Sequence, residues 1–138
     1  MYLEHINLTV KDMDQTLVFY KAAFPHWWVR GEGQQTWYGT DRRWLHFGDD
    51  NHYLAFNDNG YGENRPLEGN QLGVAHYGYV TADLDAVISR LLAAGFEIHH
   101  EGAQSQHRRN VYFRDPNGFE VEFVEYSSDL PKERNLYE

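Results

Sequence analysis

At 138 residues, 41% hydrophobic and 16% aromatic, the chain carries enough apolar material for one domain, or two short modules sharing a core, despite a net charge of −9. That acidic balance argues against a nucleic-acid partner, since phosphates need clustered Lys and Arg, and favours cations, neutral or cationic small molecules, or plain solubility. The absence of cysteine excludes disulfides and thiolate chemistry, and the lack of a leader-like N-terminus or of about 18 consecutive apolar residues makes a cytoplasmic protein without a membrane span the expectation.

The first predicted element is a strand from His5, running into a helix that starts after Asp12. Apolar residues at Met13, Leu17, Tyr20 and Phe24 make one helical face, and Pro25 ends it. Short β-like runs follow near Trp27–Val29, Gln35–Tyr38, Trp44–Phe47 and His52–Phe56. Gly31-Glu32-Gly33 and Gly48-Asp49-Asp50-Asn51 are the turn signals between them. Residues 58–72 are polar and rich in turn formers, and read as a linker or lid loop.

The pattern then starts again. His76-Tyr77-Gly78-Tyr79-Val80-Thr81-Ala82-Asp83-Leu84-Asp85 aligns without a gap on His5-Ile6-Asn7-Leu8-Thr9-Val10-Lys11-Asp12-Met13-Asp14. Each Asp before the helix is a plausible N-cap, accepting bonds from otherwise unpaired amides. Leu84, Val87, Ile88, Leu91 and Leu92 form the second helical face, closed by Gly95. Strand-like runs follow near Phe96–His99, Asn110–Phe113 and Phe119–Tyr126, the last preceded by the turn Asp115-Pro116-Asn117-Gly118. The tail, residues 127–138, is polar and reads either as a disordered end or as an arm packing on a partner chain.

The chain is therefore β-α-β-β-β twice: a first module over residues 1–57, the linker or lid, a second module over residues 73–126, and the tail. This order, the paired strand–helix openings and the closing Asp-Pro-Asn-Gly-Phe-Glu-Val-Glu-Phe together resemble the vicinal oxygen chelate superfamily of glyoxalases, bleomycin- and fosfomycin-resistance proteins and extradiol dioxygenases. The resemblance covers roughly residues 3 to 126. It implies an α+β fold of two tandem βαβββ modules, whose mixed sheets curve into a cup-shaped half-barrel with the helices outside.

Strand alternation divides the side chains between two faces. Ile6, Leu8 and Val10 share the face that packs on a helix, so His5, Asn7 and Thr9 share the other; the repeat places His76 where His5 sits. In the last strand Phe119, Val121 and Phe123 make the apolar face, and Glu120, Glu122, Val124 and Tyr126 lie opposite. Two carboxylates on an inward face need a partner, and a cation is one. The resemblance implies metal ligands at His5, His76 and Glu122, with Glu120 as the rival of Glu122 on the same face. Two imidazoles and a carboxylate suit one divalent Mn, Fe, Co, Ni or Zn ion and leave coordination positions open for substrate.

Aligning Asn51–Phe56 on the last strand with one gap puts Ala55 opposite Glu122 and Tyr53 opposite Glu120. Ala55 cannot ligate, which points away from a glyoxalase proper and towards the three-ligand branches. Asn7, Tyr53, Ala55, Gly78, Glu120 and Val124 are expected to line the cavity. Tyr53 would donate to an oxyanion or act as a weak acid, or simply pack; Arg108 or Arg109 would clamp an anionic substrate, or be solvated. Trp27, Trp28, Trp37, Tyr38 and Trp44 are material for core, dimer interface or pocket wall. The other histidines, His26, His46, His52, His99, His100 and His107, carry no support from the repeat: His46 or His52 would stand behind a ligand or face the substrate, and surface or structural roles are the expectation for each.

The functional expectation is a metal-dependent enzyme chelating a small substrate through neighbouring oxygens, a lyase or transferase or an extradiol-type dioxygenase, with Glu122 as ligand or base. The alternative is a metal-free, drug-sequestering protein of the bleomycin-resistance type, which the acidic charge and Trp-rich segment suit. A homodimer is expected in either case.

Overall fold

In the computed structural model, which describes residues 1–137, the chain divides into two compact units, one from Met1 to Glu63 and one beginning at Asn64. Each unit is a four-stranded mixed sheet with one principal helix, so the fold is α+β with the βαβββ order repeated.

The first unit runs β1 (His5–Thr9), α1 (Met13–Ala23), β2 (Trp28–Trp37), β3 (Thr40–Gly48) and β4 (Tyr53–Asn57). Its sheet order is β1-β4-β3-β2, with β1 parallel to β4 and the other pairs antiparallel. Asp12 caps α1 by accepting from the Gln15 amide at 2.8 Å, as its short acceptor side chain favours. The helix stops at Phe24, just before Pro25. Met13, Leu17, Tyr20 and Phe24 are all buried, and Tyr20 meets Phe56 of β4 at 5.1 Å between ring centroids. Trp27 stacks on Phe24 at 4.1 Å and meets Phe47 edge-on, whereas Trp28 is half-exposed and Tyr38 lies fully exposed at the β2–β3 turn.

One expectation fails here. The runs Trp27–Val29 and Gln35–Tyr38, save Trp27 and Tyr38 themselves, belong to a single ten-residue strand, and Gly31-Glu32-Gly33 is strand, not turn. The two glycines lie under Trp44 of β3: a Cβ on Gly33 would meet the indole Nε1 at 2.8 Å. Glycine is here for close approach across the sheet. The reversal comes at Tyr38 and Gly39, both with positive φ, as a two-residue hairpin connection requires.

The second unit runs β5 (Tyr77–Val80), α2 (Leu84–Ala93), β6 (Ile98–Glu101), β7 (Arg108–Arg114) and β8 (Glu120–Tyr126), with a short α3 (Pro131–Arg134) in the tail. Its order, β5-β8-β7-β6, reproduces the first sheet, with β5 parallel to β8. Asp83 caps α2 through the Ala86 amide at 2.9 Å. Gly95, at φ 95°, ends it: the Gly95 amide bonds Leu92 O and the Phe96 amide bonds Leu91 O, the paired bonds of a left-handed C-terminal cap. Leu84, Val87 and Leu91 are buried, whereas Leu92 is half-exposed. Residues 58–76 contain no helix or strand. In the tail, the Arg134 guanidinium lies 4.3 Å above the Tyr126 ring.

The correspondence of the two sheets extends to individual pairs. His5, Ile6 and Asn7 register against Tyr53, Leu54 and Ala55, as Tyr77 and Gly78 do against Val121 and Glu122. Ala55 therefore takes the place of Glu122, and Tyr53 that of Glu120. The one-residue gap between the sequences lies in the preceding turns. Asp49 accepts from the Asn51 and His52 amides, whereas Asp115 accepts from those of Asn117 and Phe119.

Candidate metal centre

The inward face of the second sheet gathers its polar side chains around β8. Alternation puts Val121 and Phe123 into the core with Phe113 and sends Glu120 and Glu122 the other way, yet both carboxylates are buried. Each must be held by partners, because a buried unpaired carboxylate is costly.

Glu122 uses its two oxygens differently. Oε1 accepts from Arg108 Nη2 and from Asn110 Nδ2, each at 2.7 Å. Both donors are on β7, two residues apart and hence on one face. Oε2 faces His76 Nε2 at 3.3 Å. Gly78, opposite Glu122 on β5, keeps this oxygen open: its added Cβ would stand 3.4 Å away. Tyr112, also opposite Glu122, has its phenol pKa raised by burial and by the Glu122 charge, which keeps it protonated.

His76, one residue ahead of β5, lies between the two carboxylates: Nδ1 is 3.7 Å from Glu120 Oε1 and Nε2 is 3.3 Å from Glu122 Oε2. A neutral imidazole has one N–H for these two acceptors. In that form the nitrogen without it presents a lone pair to a carboxylate oxygen, an arrangement that either a second ring proton or a shared cation resolves. Ligand atoms about 2.1 Å from one ion lie roughly 3.0–3.4 Å apart in octahedral or tetrahedral geometry. The His76–Glu122 spacing fits, and imidazole with carboxylate is a donor set for borderline divalent ions.

Glu120 has further imidazoles beside it. His99 Nδ1 is 2.7 Å and His100 Nε2 is 3.4 Å from Glu120 Oε2. His99, His100 and Glu120 form a group whose ligand atoms all lie within 4.8 Å of one another. Consecutive strand residues ordinarily face opposite ways. Here β6 bulges between Ile98 and His100, and His99 is the extra residue. A bulge re-aims a side chain in this manner.

The equivalent face of the first unit carries rings where the second carries carboxylates. The Tyr53 ring lies 4.7 Å from that of His5 and 4.6 Å from that of His46, with the Arg30 guanidinium 4.3 Å from its centre. Burial and the neighbouring Glu4 raise the Tyr53 pKa, making it a hydrogen-bond donor and a poorer acid than free tyrosine. His46 is shifted the other way, by burial first and then by the charges of Arg30 and His5. His5 Nδ1 is 3.0 Å from Glu4 Oε1, which leaves Nε2 for a ligand. Asn7 Oδ1 accepts from Asn57 Nδ2 at 2.8 Å, and Ala55 is buried between Asn7 of β1 and His46 of β3.

The structure thus brings His76, Glu120 and Glu122 together in the second unit, and His5, Tyr53, Ala55 and Asn7 in the first. Arg108 is the guanidinium on the carboxylate face. Arg109, its neighbour in the strand, points oppositely and pairs with Asp85 of α2 at 2.9 Å. That pair repeats Arg43–Asp14, also 2.9 Å, in the first unit, so it ties strand to helix in both halves. Sequence reasoning set His99 and His100 aside because the repeat gave them no support, and strict alternation would also separate them. The adjacency His-His was visible, but the bulge that aims both at Glu120 was not.

Comparison with known proteins agrees with this architecture. The family described as Glyoxalase/Bleomycin resistance protein/Dioxygenase superfamily matches residues 2–123. No curated protein matches the chain. Among solved structures, a glyoxalase family protein from Enterococcus faecalis is 19% identical with TM-score 0.73, over 90% of this chain and 97% of that one. The fosfomycin resistance protein FosX from Listeria monocytogenes is also 19% identical, with TM-score 0.71 over 96% and 97% of the two chains; a variant of it was solved with Mn(II) and a dihydroxypropylphosphonic acid. An antibiotic-binding protein from Streptomyces is 18% identical, with TM-score 0.62 over 92% and 97%. With its paired βαβββ units and a family match over nearly its whole length, the chain belongs to the glyoxalase/bleomycin resistance protein/dioxygenase superfamily.

Proposed function

We infer that this protein is a divalent-metal-dependent enzyme acting on a small substrate that chelates through neighbouring oxygens. The observation that carries the reading is the His76–Glu122 pair. One carboxylate oxygen is fixed by Arg108 and Asn110, and the other faces an imidazole nitrogen at ligand spacing. Outer partners of this kind orient ligands and tune their basicity. His5 is the third ligand in this reading, by its repeat-equivalence to His76. A bound Mn, Fe, Co, Ni or Zn ion would supply Lewis-acid polarisation of the substrate oxygens.

The chain's own residues do the rest. Arg108 and Asn110 hold Glu122 in one rotamer. Tyr112, opposite Glu122, donates its hydroxyl proton to that carboxylate and helps to fix it. The FosX complex with Mn(II) and a phosphonate supports a small oxygen-rich substrate by analogy. Homodimer assembly belongs to the same reading, given the exposed Leu72, Val74 and Val80 beside and within β5; light scattering at micromolar concentration should return twice the chain mass.

The deciding experiment is metal analysis after supplementation with Mn, Fe, Ni and Zn salts, on the natural chain and on His76→Ala and His5→Ala. At least one metal ion per chain, with one equivalent lost in His76→Ala, is expected. Metal-free protein that still binds cationic drugs would overturn the enzyme reading in favour of sequestration. Oxygen uptake with catechols then separates a dioxygenase from a transferase or isomerase.

A further inference from the structure

The bulge in β6 has a counterpart. In the first sheet the register shifts between Val29 and Gly31, with Arg30 as the extra residue; in the second it shifts between Ile98 and His100, with His99 as the extra residue. The partner positions correspond too: Phe47 and His46 of β3 match Phe113 and Tyr112 of β7. In each sheet the extra residue lands on the same place of the last strand. Arg30 lies over Tyr53, and His99 touches Glu120. The bulge is therefore a feature of the scaffold that delivers one side chain to the inward face. In the second unit it delivers two, because His100, the residue after it, takes the place of Gly31.

Both imidazoles turn a ring nitrogen to Glu120. His100 Nδ1 faces the Glu101 carbonyl oxygen at 3.4 Å, and a carbonyl only accepts. With the N–H on Nδ1, neutral His100 presents the Nε2 lone pair to Glu120 Oε2, two acceptors 3.4 Å apart. Tyr112 stacks on the His100 ring at 4.1 Å and fixes its plane. His99 Nδ1 reaches the same oxygen at 2.7 Å and is largely buried. Two imidazole nitrogens and a buried carboxylate thus converge, His99 through a hydrogen bond to Glu120 Oε2 whose proton a cation would replace, and together they are the donor set of a zinc-like ion with a position left for water.

We propose that His99, His100 and Glu120 form a second divalent-cation site, suited to Zn, Co(II) or Ni, distinct from the His76–Glu122 centre. It stands on its own geometry and does not depend on that reading. Glu120 lies between the two centres, with Oε2 on the bulge histidines and Oε1 turned towards His76. Filling the second site ties Glu120 down beside His76.

Equilibrium dialysis of chelator-stripped protein against Zn(II) tests this by counting ions per chain in wild type, in His99→Gln/His100→Gln and in His76→Gln/Glu122→Gln. The expected counts are two, one and one. A wild-type count of one that His99→Gln/His100→Gln retains sinks the second site and leaves the first. A single ion lost in the bulge variant but retained in the other sinks the His76–Glu122 reading and leaves this one the sole centre. One ion lost in both variants shows a merged centre and overturns two sites. No zinc at all overturns both readings. Should the double variants fold poorly, ring-nitrogen NMR of histidine-labelled wild type gives the same answer. The His99 and His100 resonances must both move on zinc addition, and movement of His76 alone overturns the proposal.

Discussion

The two halves of this chain share a skeleton and differ in what they display on it. Both have an aspartate cap on the helix, a one-residue bulge in the edge strand, an aspartate-anchored turn before the last strand, and an Arg–Asp tie from strand to helix. On the inward face, Tyr53 stands for Glu120, Ala55 for Glu122, His46 for Tyr112 and Arg30 for His99. The first half has become a stack of rings around Tyr53, and the second a set of imidazoles around two buried carboxylates. The skeleton tolerates this divergence because its stability rests on the opposite face, where Leu54 and Phe56 or Val121 and Phe123 pack with their helix. Chemistry is free to change where the core does not depend on it.

Substitutions at equivalent places test that division. The largest effect is expected at Glu122: Glu122→Ala should lower metal affinity by more than about 100-fold, since it removes a ligand and not merely its support. Tyr53→Phe in the first half should leave affinity within about twofold, because Tyr53 lies in a ring stack and donates no ligand atom. Competition with a chromophoric chelator measures both, and equal losses would erase the distinction between halves.

Next comes the arginine under each inward face. Arg108→Met strips the buried Glu122 of its cation and should cost on the order of 3 kcal/mol in metal-free protein, the range for breaking a buried pair. Arg42→Met removes a donor to Asn57 Oδ1, a neutral acceptor, and should cost about 1 kcal/mol. Urea denaturation compares them, and adding metal should shrink the first deficit but not the second.

Arg109→Gln and Arg43→Gln should behave alike, since each breaks an exposed strand-to-helix tie. Neither should change metal binding, and a shift in denaturation midpoint should be barely resolvable. A loss of metal or substrate affinity specific to Arg109→Gln would return that residue to the site.

The smallest effect is one of pH. The folded pKa of His46 lies below its ordinary value of 6.5 because of burial, reinforced by Arg30 and His5. Below about pH 6.5 the unfolded chain takes up a proton there that the folded chain refuses, so stability falls with falling pH until the folded pKa is reached. His46→Gln should flatten the stability profile slightly on the acid side of 6.5. Its counterpart Tyr112→Phe should not, since a phenol does not titrate there.

Much of this was legible in the residues themselves. Helix starts and stops follow from Asp12, Asp83, Pro25 and Gly95, because caps and breakers act locally. Face assignment in β1 and β8 follows from alternation, which needs only an unbroken strand. The repeat, read with that alternation, was enough to pair Ala55 with Glu122 across the two halves. What escaped were the places where a neighbouring strand overrides the local rule. Gly31-Glu32-Gly33 resembles a turn until Trp44 of the next strand covers it, and His99 and His100 resemble opposite-facing residues until the β6 register slips by one against β7. Arg109 resembles a clamp until Asp85 claims it. Periodicity is a property of one segment, so the sequence carries it alone; bulges, close approaches and ion pairs belong to two segments at once, and only the folded chain decides them.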